Sequence, residues 1–312
     1  MKKIAVIGGA GYLGSHIVSH CLNQGFQVKT SVTKLSLPEK YQHLQNLPNS
    51  ANLEIVELDL TKPSGFMSYL EGVDIVIHSG TPFKLAIDDP VEELFKPTIE
   101  GTKSFLEIAS KLKSLQKIIF VASVSSYNTN FPMPPGDYDP GELIDENRKP
   151  FFDEQSHPYA QAKFLANQVV NDFLKEFPIM AEKVVSVSPV SIMGPALSGR
   201  KDSESVILQS ILREKSVPNP FYEMLYNTNP YLAMVDVRDV AKVVVNLAVQ
   251  EEADFWGKNY ILSAGSHKIL DVVEMLNKRK PEERGSTIYS SQNIKKELGI
   301  SFRSIVETLG DF

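Results

Sequence analysis

Tyr159 and Lys163 stand four residues apart in Tyr159-Ala160-Gln161-Ala162-Lys163, a spacing that puts both side chains on one face of a helix. An ammonium beside a phenol favours the phenolate, so the pair predicts a tyrosine pKa drawn down from about 10. Such a phenol can give its proton to a carbonyl oxygen as hydride reaches the carbonyl carbon. Upstream, Ala122-Ser123-Val124-Ser125-Ser126 closes an apolar run, which places Ser123 at a strand end with its hydroxyl aimed at the same oxygen. A lone Tyr-x-x-x-Lys pair is common on helices; this one follows a second signal near the N-terminus.

That signal is Gly8-Gly9-Ala10-Gly11-Tyr12-Leu13-Gly14, set between an apolar run and a helical pattern. Glycines there permit a tight turn and a close backbone approach, and the helix N-terminus offers free N–H groups to a pyrophosphate. Because Gly9 adjoins Gly8, two spacings fit, one counted from Gly8 and one from Gly9. Gly8, Gly11, Tyr12, Leu13 and Gly14 are accordingly the dinucleotide candidates. At the end of the second strand an acid would accept from ribose hydroxyls and repel a 2′-phosphate. The chain has Ser31-Val32-Thr33-Lys34 there, with Lys40 beyond and no acid before Glu39. Thr33, Lys34 and Lys40 therefore predict NADP(H).

Elements that would position these groups follow from periodicity. Lys3 to Ile7, Gln27 to Val32, Leu53 to Leu58, Val73 to His78 and Lys117 to Ala122 read as strands, nearly continuous in apolar residues as in parallel sheets buried on both faces. Helical patterns lie between them at Tyr12 to Gln24, Pro38 to Leu47, Ser64 to Leu70 and Val91 to Leu112. This alternation predicts an α/β, doubly wound parallel sheet of the Rossmann type with a smaller C-terminal cap. We expect residues 1–188 to form the dinucleotide domain and 189–312 mainly the substrate cap, with segments near 232–262 returning to the first. The Pro- and Gly-rich stretch 128–156 reads as a loop over the site. A helix from His157 to Phe177 and a strand near Lys183 to Val187 follow it.

Composition narrows the partners. The 312 residues are 42% apolar with a formal charge of −6, an ordinary globular balance without the basic excess of a nucleic-acid or membrane binder. The single cysteine, Cys21, has no internal partner, which fits a reducing compartment. No run is long and apolar enough for a signal peptide or a span, so the expectation is a cytoplasmic monomer or homodimer acting on a small carbonyl compound. His16 and His20, four apart, lack an evident third ligand, so no metal is expected.

With these motifs in place the chain resembles the extended short-chain dehydrogenases/reductases, and within them the dihydroflavonol reductase-like carbonyl reductases. The likeness is carried by Asp59-Leu60-Thr61, by Val76 to Phe83, by Lys96 to Thr102, by Ser188 to Pro195 and by Val235 to Ala241. It implies that Asp59 and Leu60 hold the adenine, that Ser79, Gly80 and Thr81 line the nicotinamide side, and that Pro189 and Ile192 contact the nicotinamide end. It implies further that Ser123 polarises a carbonyl, Tyr159 is the acid, and Lys163 binds the nicotinamide ribose. Where many members carry an arginine for the 2′-phosphate, this chain has Thr33 and then Lys34. Ser156-His157-Pro158-Tyr159-Ala160 differs from the Asn-Trp-Tyr-Cys-Tyr block of cinnamoyl-CoA reductases, so a CoA thioester substrate is not implied. Asn128 stands where plant dihydroflavonol reductases place a substrate contact, with a turn asparagine as the other reading. Phe83, Met133, Met193, Phe221 and Tyr222 would form an apolar substrate pocket if their loops converge. Two other activities remain open on these residues: a nucleotide-sugar epimerase or dehydratase, and a sensor that binds NADP without turnover. Against the dehydratase, Ser123-Val124-Ser125 stands where a Thr-Asp-Glu set is usual; against the sensor, the Tyr/Lys pair is intact.

Overall fold

Strand residues alternate between two buried layers, and that alternation organises the sheet. A computed structural model describes residues 2–60, 62–80, 89–136, 138–139, 142–251 and 253–312. Ile4 and Val6 of β1 (Lys3–Ile7) enter one apolar cluster, while Ala5 and Ile7 enter another on the opposite face. Ile75 and Ile77 of β4 (Ile75–His78) join the first cluster and Val76 the second. Helices Tyr12–Asn23 and Val237–Val249 cover the first face, and Ser64–Leu70, Lys96–Ala109 and Pro158–Glu176 the second. Full burial on both faces explains why these strands read as continuous apolar runs.

The other strands are β2 (Gln27–Val32), β3 (Leu53–Glu57), β5 (Lys117–Val121), β6 (Val184–Pro189), β7 (Ser191–Met193), β8 (Tyr231–Asp236), β9 (Asn259–Leu262) and β10 (Gly265–Lys268). With β1 and β4, five of these form one seven-stranded sheet in the order β3-β2-β1-β4-β5-β6-β9, parallel throughout. The doubly wound expectation holds. The strand order reverses between β1 and β4, so the crevice for a ligand lies beyond the carboxyl ends of those two strands.

A smaller sheet, β10-β8-β7, has its own core of Met193, Leu212, Leu225, Met234, Val272 and Leu309. After β8 the chain re-enters the large layer through helix Val237–Val249 and then β9, whereas β8 itself stays with the small sheet. Two helical expectations are altered. Pro38 to Leu47 breaks at Tyr41 into a 3-10 turn, Pro38–Lys40, and a short helix, Gln42–Gln45. The helix expected from Val91 begins as one wide turn, Val91–Phe95, before Lys96–Ala109. Pro97 has no N–H to bond back four residues, so the ladder there must widen.

The described residues of 128–156 carry little regular structure yet are tied down at several points. Phe131 packs edge-on to Tyr289, Ile144 is fully buried and exchanges backbone bonds with Ile288 and Ser290, and Ser156 Oγ donates to Asn130 Oδ1 at 2.7 Å. Glu146 accepts from the Ile261 N–H at 3.0 Å, fastening the segment to β9.

Candidate active site

The turn after β1 is shaped by what its glycines omit. Gly8 has φ +82°, and a Cβ on it would lie 2.7 Å from Gly80 Cα, so the first and fourth strand ends meet backbone to backbone. A Cβ on Gly14 would stand 2.1 Å from the Gly8 carbonyl oxygen; on Gly9 it would strike Thr30. Gly11 differs: its φ is −75° and only the Gly8 oxygen lies near, at 3.2 Å. The spacing counted from Gly8 is thus the one that makes the turn, with Gly14 seating the helix and Gly11 leaving the approach to the N–H groups open. Gly9 is required instead by β2. The Tyr12 hydroxyl donates to the Gly194 carbonyl at 2.7 Å, so this side chain ties the two sheets together and leaves its backbone to face a ligand.

Around this turn the structure gathers several sequence candidates. Ser79 Oγ donates to the Ile7 carbonyl at 2.8 Å, and the Leu60 side chain reaches the space beside Gly80. Asp59 pairs with Lys62 at 3.3 Å. Thr33, Lys34 and Lys40 are exposed beyond the end of β2. Pro189 ends β6 and Ile192 lies in β7, one partly buried step from the same cluster that packs beneath β1. Thr81 and Phe83 lie outside the described residues.

Ser123 takes extended backbone angles at the end of β5, and its Oγ accepts from the Ser125 N–H at 3.2 Å. Helix Pro158–Glu176 packs on that turn, opened by His157, whose Nδ1 accepts from the Tyr159 N–H at 3.2 Å. Pro158 fits the first helical position because no intrahelical bond is asked of its nitrogen. Lys163 is buried, and its Nζ donates to the Val121 carbonyl at 3.2 Å, two residues before Ser123. Lys163 thus reaches the end of β5, two residues from Ser123, with Tyr159 one helical turn before the lysine.

The electrostatics correct one expectation. Lys163 does not bring the Tyr159 phenol down: burial pushes it above the ordinary tyrosine value, although the ring keeps some exposed area. Burial likewise lowers the lysine, to about 8. Desolvation disfavours the charged form of each group. His78, stacked on Phe120 and edge-on to Phe105, is lowered to about 4 by burial and by the Lys163 charge, so it is neutral at pH 7. A cavity of about 30 Å³ behind Lys163 is lined by Thr98, Thr102, Asn167 and Ser186. A larger hollow of about 320 Å³, bounded by Leu35, Tyr41 and Leu53, lies at the β3 edge and holds none of the catalytic candidates.

Among the described residues, the substrate-pocket candidates go to core packing or to the surface. Asn128 is fully buried, with Nδ2 donating to the Met133 carbonyl at 2.8 Å and to Tyr289 Oη at 2.9 Å, while Oδ1 accepts from the Asn130 N–H at 3.0 Å. Its amide is taken up by Met133, Asn130 and Tyr289, which supports the turn reading over substrate contact. Met193 and Tyr222 belong to the core of the small sheet, Met133 packs against that core, and Phe221 is on the surface, 44% exposed. His16, weighed as a metal ligand, bonds the Pro195 carbonyl at 2.9 Å, and no metal-ligating group of three occurs among the described residues. No described helix is long and apolar enough to cross a membrane. One residue that the sequence did not single out, Arg200, reaches the glycine turn from the segment after β7.

Comparison with known proteins agrees with this fold. Anthocyanidin reductase of Arabidopsis thaliana is 28% identical over 287 residues, covering 90% of this chain and 81% of that protein. The bifunctional dihydroflavonol 4-reductase/flavanone 4-reductase of Malus domestica is 24% identical over 335 residues, covering 99% and 88%. Among solved structures, yeast methylglyoxal/isovaleraldehyde reductase complexed with NADPH superposes with a TM-score of 0.80 at 22% identity, over 99% of this chain and 96% of that one. The family described as NAD dependent epimerase/dehydratase matches residues 4–262, and the chain, with its dinucleotide turn and seven-stranded parallel sheet, belongs to that family.

Proposed function

We propose that this protein reduces an aldehyde or ketone to the alcohol with NADPH, with Tyr159 as the general acid. The observation that carries this is that Lys163 reaches the end of β5, two residues from Ser123, from one helical turn after a Tyr159 whose phenol burial keeps protonated. A protonated phenol is the form a reduction consumes. When bound, NADPH supplies hydride to the carbonyl carbon. The Ser123 hydroxyl bonds the carbonyl oxygen and orients it. Tyr159 Oη gives that oxygen its proton, and the phenolate left behind is stabilised by the Lys163 ammonium until solvent returns a proton. Held from the Val121 carbonyl, Lys163 also stands ready for a ribose hydroxyl.

NADPH rather than NADH is favoured by Lys34 and Lys40 beyond β2, with no acid in the sequence between Val32 and Glu39. That the curated relatives compared above are named as reductases supports reduction over epimerisation. The test is a panel of aldehydes, ketones and diketones with each cofactor, followed by loss of reduced nicotinamide and by identification of the product. We expect consumption of NADPH matched by alcohol formed. Tightly held NAD with nucleotide-sugar interconversion, or binding of NADPH with no turnover on any member, contradicts the proposal.

A further inference from the structure

Arg200 leaves the chain seven residues after the end of β7, in Leu197-Ser198-Gly199-Arg200-Lys201-Asp202, and turns back across the large sheet. Its Nη1 donates both to the Ala10 carbonyl, at 3.1 Å, and to the Lys40 carbonyl, at 3.2 Å. The guanidinium therefore stands between the glycine turn and the segment that follows β2. The remaining edge grips Asp202, Nε to Oδ1 at 2.8 Å and Nη2 to Oδ2 at 2.7 Å. Hydrogen bonding to Arg200 holds the Asp202 carboxyl below the usual carboxylate range. His43, on the adjoining short helix, is lowered by burial and by the Arg200 charge, which places the guanidinium close to the N-terminus of helix Tyr12–Asn23, where His43 Nε2 meets Ser15 Oγ at 2.7 Å.

In a doubly wound sheet this place receives the adenosine ribose: an acid at the end of the second strand binds its hydroxyls for NAD, and an arginine nearby accepts the 2′-phosphate for NADP. Strand β2 ends in Thr33-Lys34 and brings no guanidinium of its own. Two acids near the position are engaged, Glu57 by the Leu35 N–H at 2.9 Å and Asp202 by Arg200. We infer that Arg200, reaching over from the cap side of the crevice, is the guanidinium that binds the adenosine 2′-phosphate, with Asp202 holding it in place until the phosphate arrives. The inference rests on the NADPH reading above.

The chemistry favours the exchange. A guanidinium offers a planar fork that matches phosphate oxygens two at a time, which the single ammonium of Lys40 cannot do. The Arg200–Asp202 pair is open to solvent, at 28% and 55% side-chain exposure, and an exposed ion pair is worth little. A phosphate dianion offered to the Nε and Nη2 edge therefore displaces Asp202, while the Nη1 bonds to Ala10 and Lys40 keep the arm aimed. Cofactor binding then also fastens the segment after β7 over the glycine turn.

Dissociation constants for NADPH, NADH, 2′,5′-ADP and 5′-AMP, measured by calorimetric titration on wild type, Arg200→Met and Asp202→Asn, test this without recourse to turnover. We expect Arg200→Met to weaken NADPH and 2′,5′-ADP about 10–100-fold, the worth of a charge-assisted phosphate contact, and NADH and 5′-AMP by no more than about 2-fold. Asp202→Asn should keep or tighten NADPH, since it removes a competing carboxylate. Equal weakening of all four ligands by Arg200→Met would make Arg200 a structural staple and overturn the inference, as would unchanged NADPH affinity. A wild type that binds NADH as tightly as NADPH would overturn the cofactor reading itself. A wild type that discriminates, with Arg200→Met discriminating equally, would overturn only the role of Arg200.

Discussion

Burial lowers the Lys163 ammonium to about 8 while its Nζ keeps the bond to Val121, so the cation is present at pH 7 and lost within the next pH unit or two. The same burial pushes Tyr159 upward, so the phenol remains protonated through that range. The sign is thus fixed: kcat/KM for reduction should hold at neutral pH and fall as pH rises through about 8, because the phenolate formed in the reaction loses its counter-charge. In Lys163→Arg the guanidinium does not titrate, so that limb should vanish even if the rate is lower. A pH–rate profile for both proteins decides it; a limb that persists near pH 8 in the arginine variant assigns it to another group. Ser123, Tyr159 and Lys163 were singled out as candidates for chemistry from type and spacing alone. The direction of the tyrosine shift was not, because sequence shows adjacency and hides the solvent that each group loses. For Asn128 a position matching a substrate contact could not reveal that Met133, Asn130 and Tyr289 take up its amide.

The turn between β1 and helix Tyr12–Asn23 separates two uses of glycine that the sequence alone runs together. Gly14 has no room for a methyl group, which would lie 2.1 Å from the Gly8 oxygen, whereas Gly11 has ordinary helical-side φ and an open approach. Gly14→Ala should therefore cost about 3 kcal/mol of stability, the upper range for overpacking, in urea unfolding. Gly11→Ala should change stability by less than about 1 kcal/mol yet weaken NADPH at least about 10-fold, because its methyl occupies the path to the helix N–H groups. Intrinsic fluorescence in urea and a NADPH titration check both; Gly11→Ala with wild-type affinity would place the pyrophosphate elsewhere. Long elements with clear periodicity, such as helix Pro158–Glu176 and strands β1 to β6, were readable. Strands β7 to β10 were not: at three to six residues, and partly polar as in Gly265–Lys268, they show no alternation to count. The segment 38–47 carries helical composition but breaks at Tyr41, whose hydroxyl donates to the Leu35 carbonyl at 2.9 Å.

The two sheets are stitched together above the glycine turn, where Tyr12 donates to Gly194, His16 bonds Pro195 and Arg200 bonds Ala10. The partners lie 179 to 190 positions apart in the chain, a pairing that no local pattern encodes. The doubly wound core could be anticipated because each of its layers repeats a strand and a helix; the seam could not. In the function proposed above, the dinucleotide turn, the end of β5 and the phenol of Tyr159 share one crevice across that seam. What the account asks of this arrangement is that one proton come from one oxygen. Tyr159→Phe removes that hydroxyl alone, from a partly exposed ring whose helix is capped through its backbone, so stability and NADPH affinity should stay near wild type. The measurement is steady-state reduction of the best carbonyl found for the wild type, run beside a NADPH titration on both proteins. The account predicts equal cofactor affinity and turnover lower by about 10²–10⁴-fold in Tyr159→Phe; turnover within a few-fold of wild type would contradict it.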